Sequence, residues 1–238
     1  MAARLYLPLP LHAGAEPVLP PGPSRHAQVL RLQPGDALTL FNGDGGEWSA
    51  QVLRIGRSEV QVRVGEHHAV ERELGVQVTL AVGMPANERM DTLIEKATEL
   101  GVATIQPLIC ERSVLRIAGE RAQKKVEHWR GVAIAAAEQS GRTRVPEIAA
   151  VAGLVEWLRE GAMPQQRFVL SLREGHAFDA VHAADAVCFL SGPEGGLSDA
   201  EESAARRAGF TPRSLGPRVL RADTAPLAVL AALALHDR

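Results

Sequence analysis

Two short stretches carry residues whose types and spacing could do chemistry. In "FLSGPEGGLSDAEE" an apolar segment empties into Gly192, Pro193, Glu194, Gly195 and Gly196 and then restarts as a helix. Ser198 followed by Glu201 is a capping box that places the helix start there, and Gly209 fits its stop. Such a strand-to-helix connection lies at the C-terminal edge of a sheet, where open α/β folds place ligands. The order of glycines matches neither the dinucleotide fingerprint nor a P-loop, and Glu194 would repel a phosphate. The loop therefore suits a neutral or cationic ligand approached closely by backbone, with amides and carbonyls on a base and a ribose. An ordinary tight turn is the plainer alternative. In the second stretch, "LGPRVLRADTAPLAVLAAL", Gly216 and Pro217 make a turn. Asp223 or Thr224 can cap a final helix with Pro226 in its first turn. Arg218 and Arg221 sit between them beside Val219 and Leu220, and the two loops could wall one pocket.

Other reactive residue types form no pattern. The eight histidines show no H-E-x-x-H and no ligand-like clustering, so no metal is expected. Cys110 and Cys188 fall in apolar, strand-like segments and read as buried thiols. No G-x-S-x-G elbow is present.

The elements that must position these loops follow from hydrophobic rhythm. Residues 1–72 read as short strands with turn punctuation: "RLYL", a short helix over "SRHAQVLRL", then "ALTLFNG", "EWSAQVLRI" and "SEVQVRVGE". Val60, Val62 and Val64 alternate onto one face, which predicts a small antiparallel barrel or sandwich. Residues 73–238 alternate strands with helices. "VQVTLAVGM", "ATIQPLI", "RFVLSL" and "AVCFL" are the strands. "NERMDTLIEKATELG", "ERAQKKVEHWRGVAIAAAEQSG", "LVEWLRE", "DAEESAARRAG" and "APLAVLAALALHD" are the helices, with "TPRSLG" a link between the last two. Met90, Leu93, Ile94, Ala97 and Leu100 share one helix face, and Gly101 and Gly141 are helix stops. The alternation implies a mostly parallel sheet covered on both faces.

Composition sets outer limits. No apolar run approaches membrane-spanning length, and "MAARLYLPLP" lacks the features of a secretory leader, so a cytoplasmic protein is expected. The net charge of -2 excludes a uniformly basic coat, yet residues 112–144 hold eight Arg and Lys against three Glu. That cluster is either a solvated helix face or a local polyanion site.

Five stretches, "ERMDTLIEKATELGV", "PLICERSV", "AAEQSGRTRVPEI", "GPEGGLS" and "LGPRVLRADTAPL", resemble in order and spacing the 16S ribosomal RNA uridine-N3 methyltransferases of the SPOUT, or trefoil-knot, superfamily. "RLYLP" and "VLRLQPGD" extend the resemblance over nearly the whole chain. It implies a PUA-like RNA-binding barrel over 1–72 and a knotted α/β domain over 73–238. It also implies a homodimer, S-adenosylmethionine as cofactor, and a uridine in the decoding region of small-subunit rRNA as target. The cofactor would lie among three loops contributed by Leu170 and Leu172; by Ser191, Gly192, Glu194, Gly195 and Gly196; and by Leu215, Gly216, Val219, Leu220, Arg221, Thr224 and Ala225. Two departures stand out: Pro85, Ala86 and Asn87 occupy a place often basic in the family, and Ala222 and Asp223 shorten the usual spelling near the end.

The implied reaction is an in-line displacement at a methyl carbon. Its enzyme must align the reactants and must make uridine N3, an imide nitrogen between two carbonyls, nucleophilic. Either a base takes the proton or a cation stabilises the uridine anion. Arg221 is the candidate donor, with a salt bridge to Asp223 or Glu194 as its structural alternative. Glu194 could accept the proton, or hold a ribose hydroxyl, a backbone amide or Arg221. Arg4, Arg31 and Arg142 are candidate RNA contacts, while Glu138 and Gln139 read as capping and interface groups. A non-catalytic RNA-binding or ribosome-assembly factor on the same fold is the rival reading.

Overall fold

A computed structural model describes residues 3–86, 88–161, 163–172, 176–178 and 185–236. Asn87 and Asp237, which belong to the expected second and last helices, lie outside the described residues. The chain forms two compact units: Met1–Glu73 with Ala137–Val145, and Leu74–Ala136 with Pro146–Arg238.

The first unit carries β1 (Ala3–Tyr6), α1 (Pro21–Val29), β2 (Ala37–Phe41), β3 (Glu47–Ile55) and β4 (Val60–His68), in the sheet order β1-β2-β3-β4. Apolar alternation buries Leu38 and Leu40 with Val60, Val62 and Val64 in one core. The sheet is not wholly antiparallel, because β1 pairs parallel with β2. The link between them runs through α1, and a parallel neighbour needs such a crossover. Residues 15–19 add backbone bonds along β4: Leu19 N–H to Val60, Val62 N–H to Pro17 and Val64 N–H to Ala15.

The second unit opens with β5 (Gln77–Gly83), α2 (Glu88–Glu99), β6 (Thr104–Ile109) and α3 (Gly119–Ser140), whose last turn groups with the first unit. There follow β7 (Glu147–Ile148), β8 (Ala152–Gly153), α4 (Leu154–Glu160), β9 (Gln166–Leu170) and β10 (His176–Ala177). The chain then forms β11 (Ala186–Ser191), α5 (Asp199–Arg207), β12 (Thr211–Ser214) and α6 (Thr224–His236). The strand order is β10-β12-β9-β11-β5-β6-β7, with β8 also on β6, and every recorded pairing is parallel. Successive residues of β11, Val187 to Ser191, are all buried, so both faces of the central strand are covered.

Local signals act as the residue types require. Ser198 and Glu201 form the reciprocal capping box of α5. Gly101, Gly141 and Gly209 follow their helices at φ of 92°, 82° and 87°, where a side chain would be strained. "TPRS", taken from sequence as a link, is the strand β12. It has no alternating apolar pattern, and its pairing with β9 and β10 is what makes it a strand.

Candidate functional site

Strands β12, β9, β11 and β5 are consecutive neighbours, so the loops leaving the first three converge at one edge of the sheet. They enclose a cleft of about 500 Å³, a volume in the range of small-molecule sites. Its wall includes Leu170 and Leu172 after β9, Ser191 to Leu197 after β11, and Leu215 with Arg218 to Ala222 after β12. Of the residues singled out for a cofactor, Gly216 and Thr224 do not line it; the others, Ala225 among them, do. Gly216 turns outward at φ 100°, and Thr224 is exposed at the start of α6.

The glycine loop is held by contacts that a larger residue would break. A Cβ on Gly192 would lie 2.7 Å from the Leu197 amide nitrogen, and one on Gly83 would lie 2.6 Å from the Pro193 nitrogen. The Gly196 N–H donates to the Pro193 carbonyl at 2.8 Å, closing the turn. From the segment after β6, the Arg112 guanidinium donates to the carbonyls of Gly195 and Leu197 at 3.1 and 3.3 Å. The Glu111 N–H donates to Glu201 at 2.7 Å, tying the same segment to the cap of α5. Beneath it, Cys110 and Cys188 are free thiols pushed up to about 12 by burial.

Glu194 accepts the Ala86 N–H at 2.9 Å, and Arg89 stands 3.9 Å from the same carboxylate. Of the roles open to Glu194, holding a backbone amide is therefore the one its geometry displays. Arg221 is exposed, lines the cleft, and makes no side-chain hydrogen bond or ion pair among the described residues. Its carbonyl instead accepts the N–H groups of Thr224 and Ala225, each at 3.0 Å. Asp223 Oδ1 is buried without a partner, so that atom neither caps α6 nor pairs with Arg221. Ser191 Oγ is also buried, unpartnered, and in the cleft wall.

Several lining groups escaped the sequence. Ser171 donates to Glu202 at 2.7 Å, and the Arg213 guanidinium lies 4.8 Å from the Phe168 ring centre. Glu202 follows the capping glutamate and carries no signal of its own in the sequence. Arg213 lay in a segment without strand pattern. Arg112 was visible as one charge in a basic run and as part of "PLICERSV", with no role attached to it.

The expected RNA contacts of the first unit are unequal. Arg31 is exposed just past α1, at a left-handed φ of 56°. Arg4 is engaged by Glu47, by the carbonyls of Gly141 and Arg142, and by the face of Phe41. Hydrogen bonds from Arg72 and Arg4 hold the Glu47 carboxyl below its ordinary range. Arg142 is buried against Glu73. Glu138 accepts the Tyr6 N–H at 2.8 Å and pairs with His26 at 2.9 Å, and burial raises its pKa.

A parallel sheet with three ligand-facing loops at the ends of adjacent strands defines an α/β protein built to hold a small molecule at its C-terminal edge. Residues 72–234 match the RNA methyltransferase domain family, and residues 24–65 match the RNA methyltransferase PUA domain. The chain belongs to this RNA methyltransferase family. It is 35% identical over 210 residues to the ribosomal RNA small subunit methyltransferase E of Synechocystis, covering 86% of this chain and 67% of that one. The Bacillus subtilis protein of the same name is 33% identical, with coverage of 86% and 84%. Among solved structures, the Neisseria gonorrhoeae ribosomal RNA small subunit methyltransferase E bound to S-adenosyl methionine superposes with a TM-score of 0.92. It shares 35% identity, with coverage of 99% and 98%. A Legionella pneumophila protein in complex with the cofactor SAM gives 0.94 at 36% identity, with the same coverage.

Proposed function

We propose that this protein is an S-adenosylmethionine-dependent methyltransferase that modifies N3 of a uridine in the decoding region of small-subunit (16S) ribosomal RNA. It works in the cytoplasm as a homodimer, and its second unit is threaded as a trefoil knot. The observation that carries the reading is the cleft: three loops from adjacent parallel strands close on one cavity of about 500 Å³. The relatives named for small-subunit rRNA methylation, two of the similar structures holding the cofactor, lend it support. The strand order supports the knot, because the chain passes from β11 back to the far side of β9 before its last loop enters the cleft.

The residues present fit S-adenosylmethionine. Ser191 Oγ offers a buried, unsatisfied hydrogen-bonding atom in the wall, and Leu170, Leu197 and Leu220 supply apolar surface for an adenine. The close packing at Gly192 leaves the backbone of residues 192–196 as part of the wall. When bound, the cofactor supplies a methyl group activated by a sulfonium. Arg112 fixes the glycine loop through its two carbonyl contacts. Glu194, held by the Ala86 N–H, keeps a negative charge at the cavity wall that favours a cationic ligand over a phosphate. In this reading Arg221, its five donors uncommitted, stabilises charge on O2 or O4 as the N3 proton passes to solvent water.

The test is methyl transfer from labelled cofactor to small ribosomal subunits that lack the modification, with the product nucleoside identified by mass spectrometry. Wild type should yield 3-methyluridine at one site. Arg221→Ala should lower turnover by at least about a hundredfold while cofactor binding persists, the scale for removing one donor to a developing anion. Absence of both transfer and cofactor binding would instead identify a non-catalytic RNA-binding factor.

A further inference from the structure

Five arginines and two glutamates line the cleft, although the chain as a whole carries a net charge of -2. The arginines divide by what holds them. Arg112 and Arg213 are turned inward, onto loop carbonyls and onto the Phe168 ring. Arg221 belongs to the reaction. Arg218 has no such task, and Arg89 has only a loose ion pair with Glu194. Arg89 has a side chain 41% exposed and stands 3.9 Å from the nearest carboxylate, beyond hydrogen-bond distance. Arg218 is exposed and makes no hydrogen bond or ion pair among the described residues.

Their roots lie at opposite ends of the site. Arg89 follows β5 and Arg218 follows β12, and strands β11 and β9 run between those two. Three inter-strand steps put the strands β5 and β12 themselves about 14 Å apart at the usual spacing. Glu194, 3.9 Å from Arg89, and Glu202, paired with Arg206 at 3.2 Å, also line the cleft. The cleft thus carries more guanidinium than carboxylate charge, which favours a polyanion beside it. A guanidinium is also the side chain whose fork matches a phosphate edge.

We propose that Arg89 and Arg218 are a two-point clamp for RNA backbone phosphates on either side of the nucleotide whose base enters the cleft. This rests on the RNA methyltransferase reading and adds to it where the polyanion is held. The clamp keeps the strand in register while the base enters the cleft.

The test is the salt dependence of affinity for a short, labelled single-stranded RNA, followed by fluorescence anisotropy over about 50 to 200 mM salt. Each of Arg89→Ala and Arg218→Ala should lower the magnitude of the log–log slope by about 0.7, and the double variant by about twice that. Arg218→Lys should recover most of the loss, because a phosphate accepts a point charge. Arg159→Ala, on α4 outside the cleft, is the control and should leave the slope unchanged. With ribosomal subunits as substrate, the KM for subunits should rise in both alanine variants by a larger factor than kcat falls. Slopes equal to wild type, no RNA binding by wild type, or a loss of kcat alone would each overturn the clamp. Reduced slopes without methyl transfer to any subunit would support the clamp and sink the methyltransferase reading instead.

Discussion

A methyl group added at Gly192 would come within 2.7 Å of the Leu197 amide nitrogen and 2.9 Å of the Gly196 carbonyl carbon, both backbone atoms that no rotamer change can move. Gly192→Ala must therefore shift the loop itself. Overpacking of this kind costs about 1–3 kcal/mol, and here the displaced backbone is the cavity wall. We expect at least a tenfold loss of cofactor affinity by calorimetry, exceeding the effect of Gly196→Ala. At Gly196 the added Cβ meets open space, and only the positive φ of 68° opposes it. Equal losses at the two sites would show that close packing is not what shapes the loop. Gly192 was legible in sequence as part of a ligand loop. Arg112, which braces that loop, was not, because its partners are main-chain carbonyls more than eighty residues away.

At the scale of elements, the start of α5 ties two parts of the site together. Glu201 is buried, accepts the Ser198 N–H at 2.9 Å through one oxygen and accepts the Glu111 N–H at 2.7 Å through the other. The capping half of this is local and visible as Ser-x-x-Glu. The tertiary half is not, since nothing in the spelling tells which distant amide the second oxygen will meet. Ser198→Ala should cost about 1 kcal/mol, the value of an N-cap. Glu201→Ala leaves the buried Ser198 amide and the part-buried Glu111 amide without their acceptor and should cost about 2 kcal/mol in urea denaturation, because a stranded donor costs more than a cap. Equal costs would mean that the Glu111 contact contributes nothing. Strand β12 teaches the same lesson. "TPRS" has no period-2 apolar pattern, and only its neighbours β9 and β10 supply the ladder that makes it a strand.

At the scale of the molecule, α6 is apolar around nearly its whole circumference, and Leu235 is 76% exposed on it. A helix of that kind buries more than one stripe. The proposed homodimer supplies the second cover. Wild type should sediment as a dimer, and Leu235→Asp should shift it toward monomer. A wild type that sediments as a monomer at micromolar concentration would remove the dimer from the proposal.

The amino-acid sequence by itself determined the features whose causes are local. These are the capping box, the glycine helix stops, the alternating valines of β4, the strand-to-helix loop after β11, and the motif order that resembles one methyltransferase family. Tertiary structure alone decided which loops meet, because β12, β9 and β11 become neighbours only through crossovers that periodicity does not encode. It also decided which arginines are free. Arg4 and Arg142 looked like candidates for RNA, and both are engaged within their own unit, by Glu47 and by Glu73. Arg218, singled out beside Arg221, lines the cleft with no ion pair among the described residues, and Arg89 lines it with only a loose one to Glu194. An arginine reads the same in sequence whether its charge is neutralised or not. The carboxylate that neutralises it is brought near only when the chain folds.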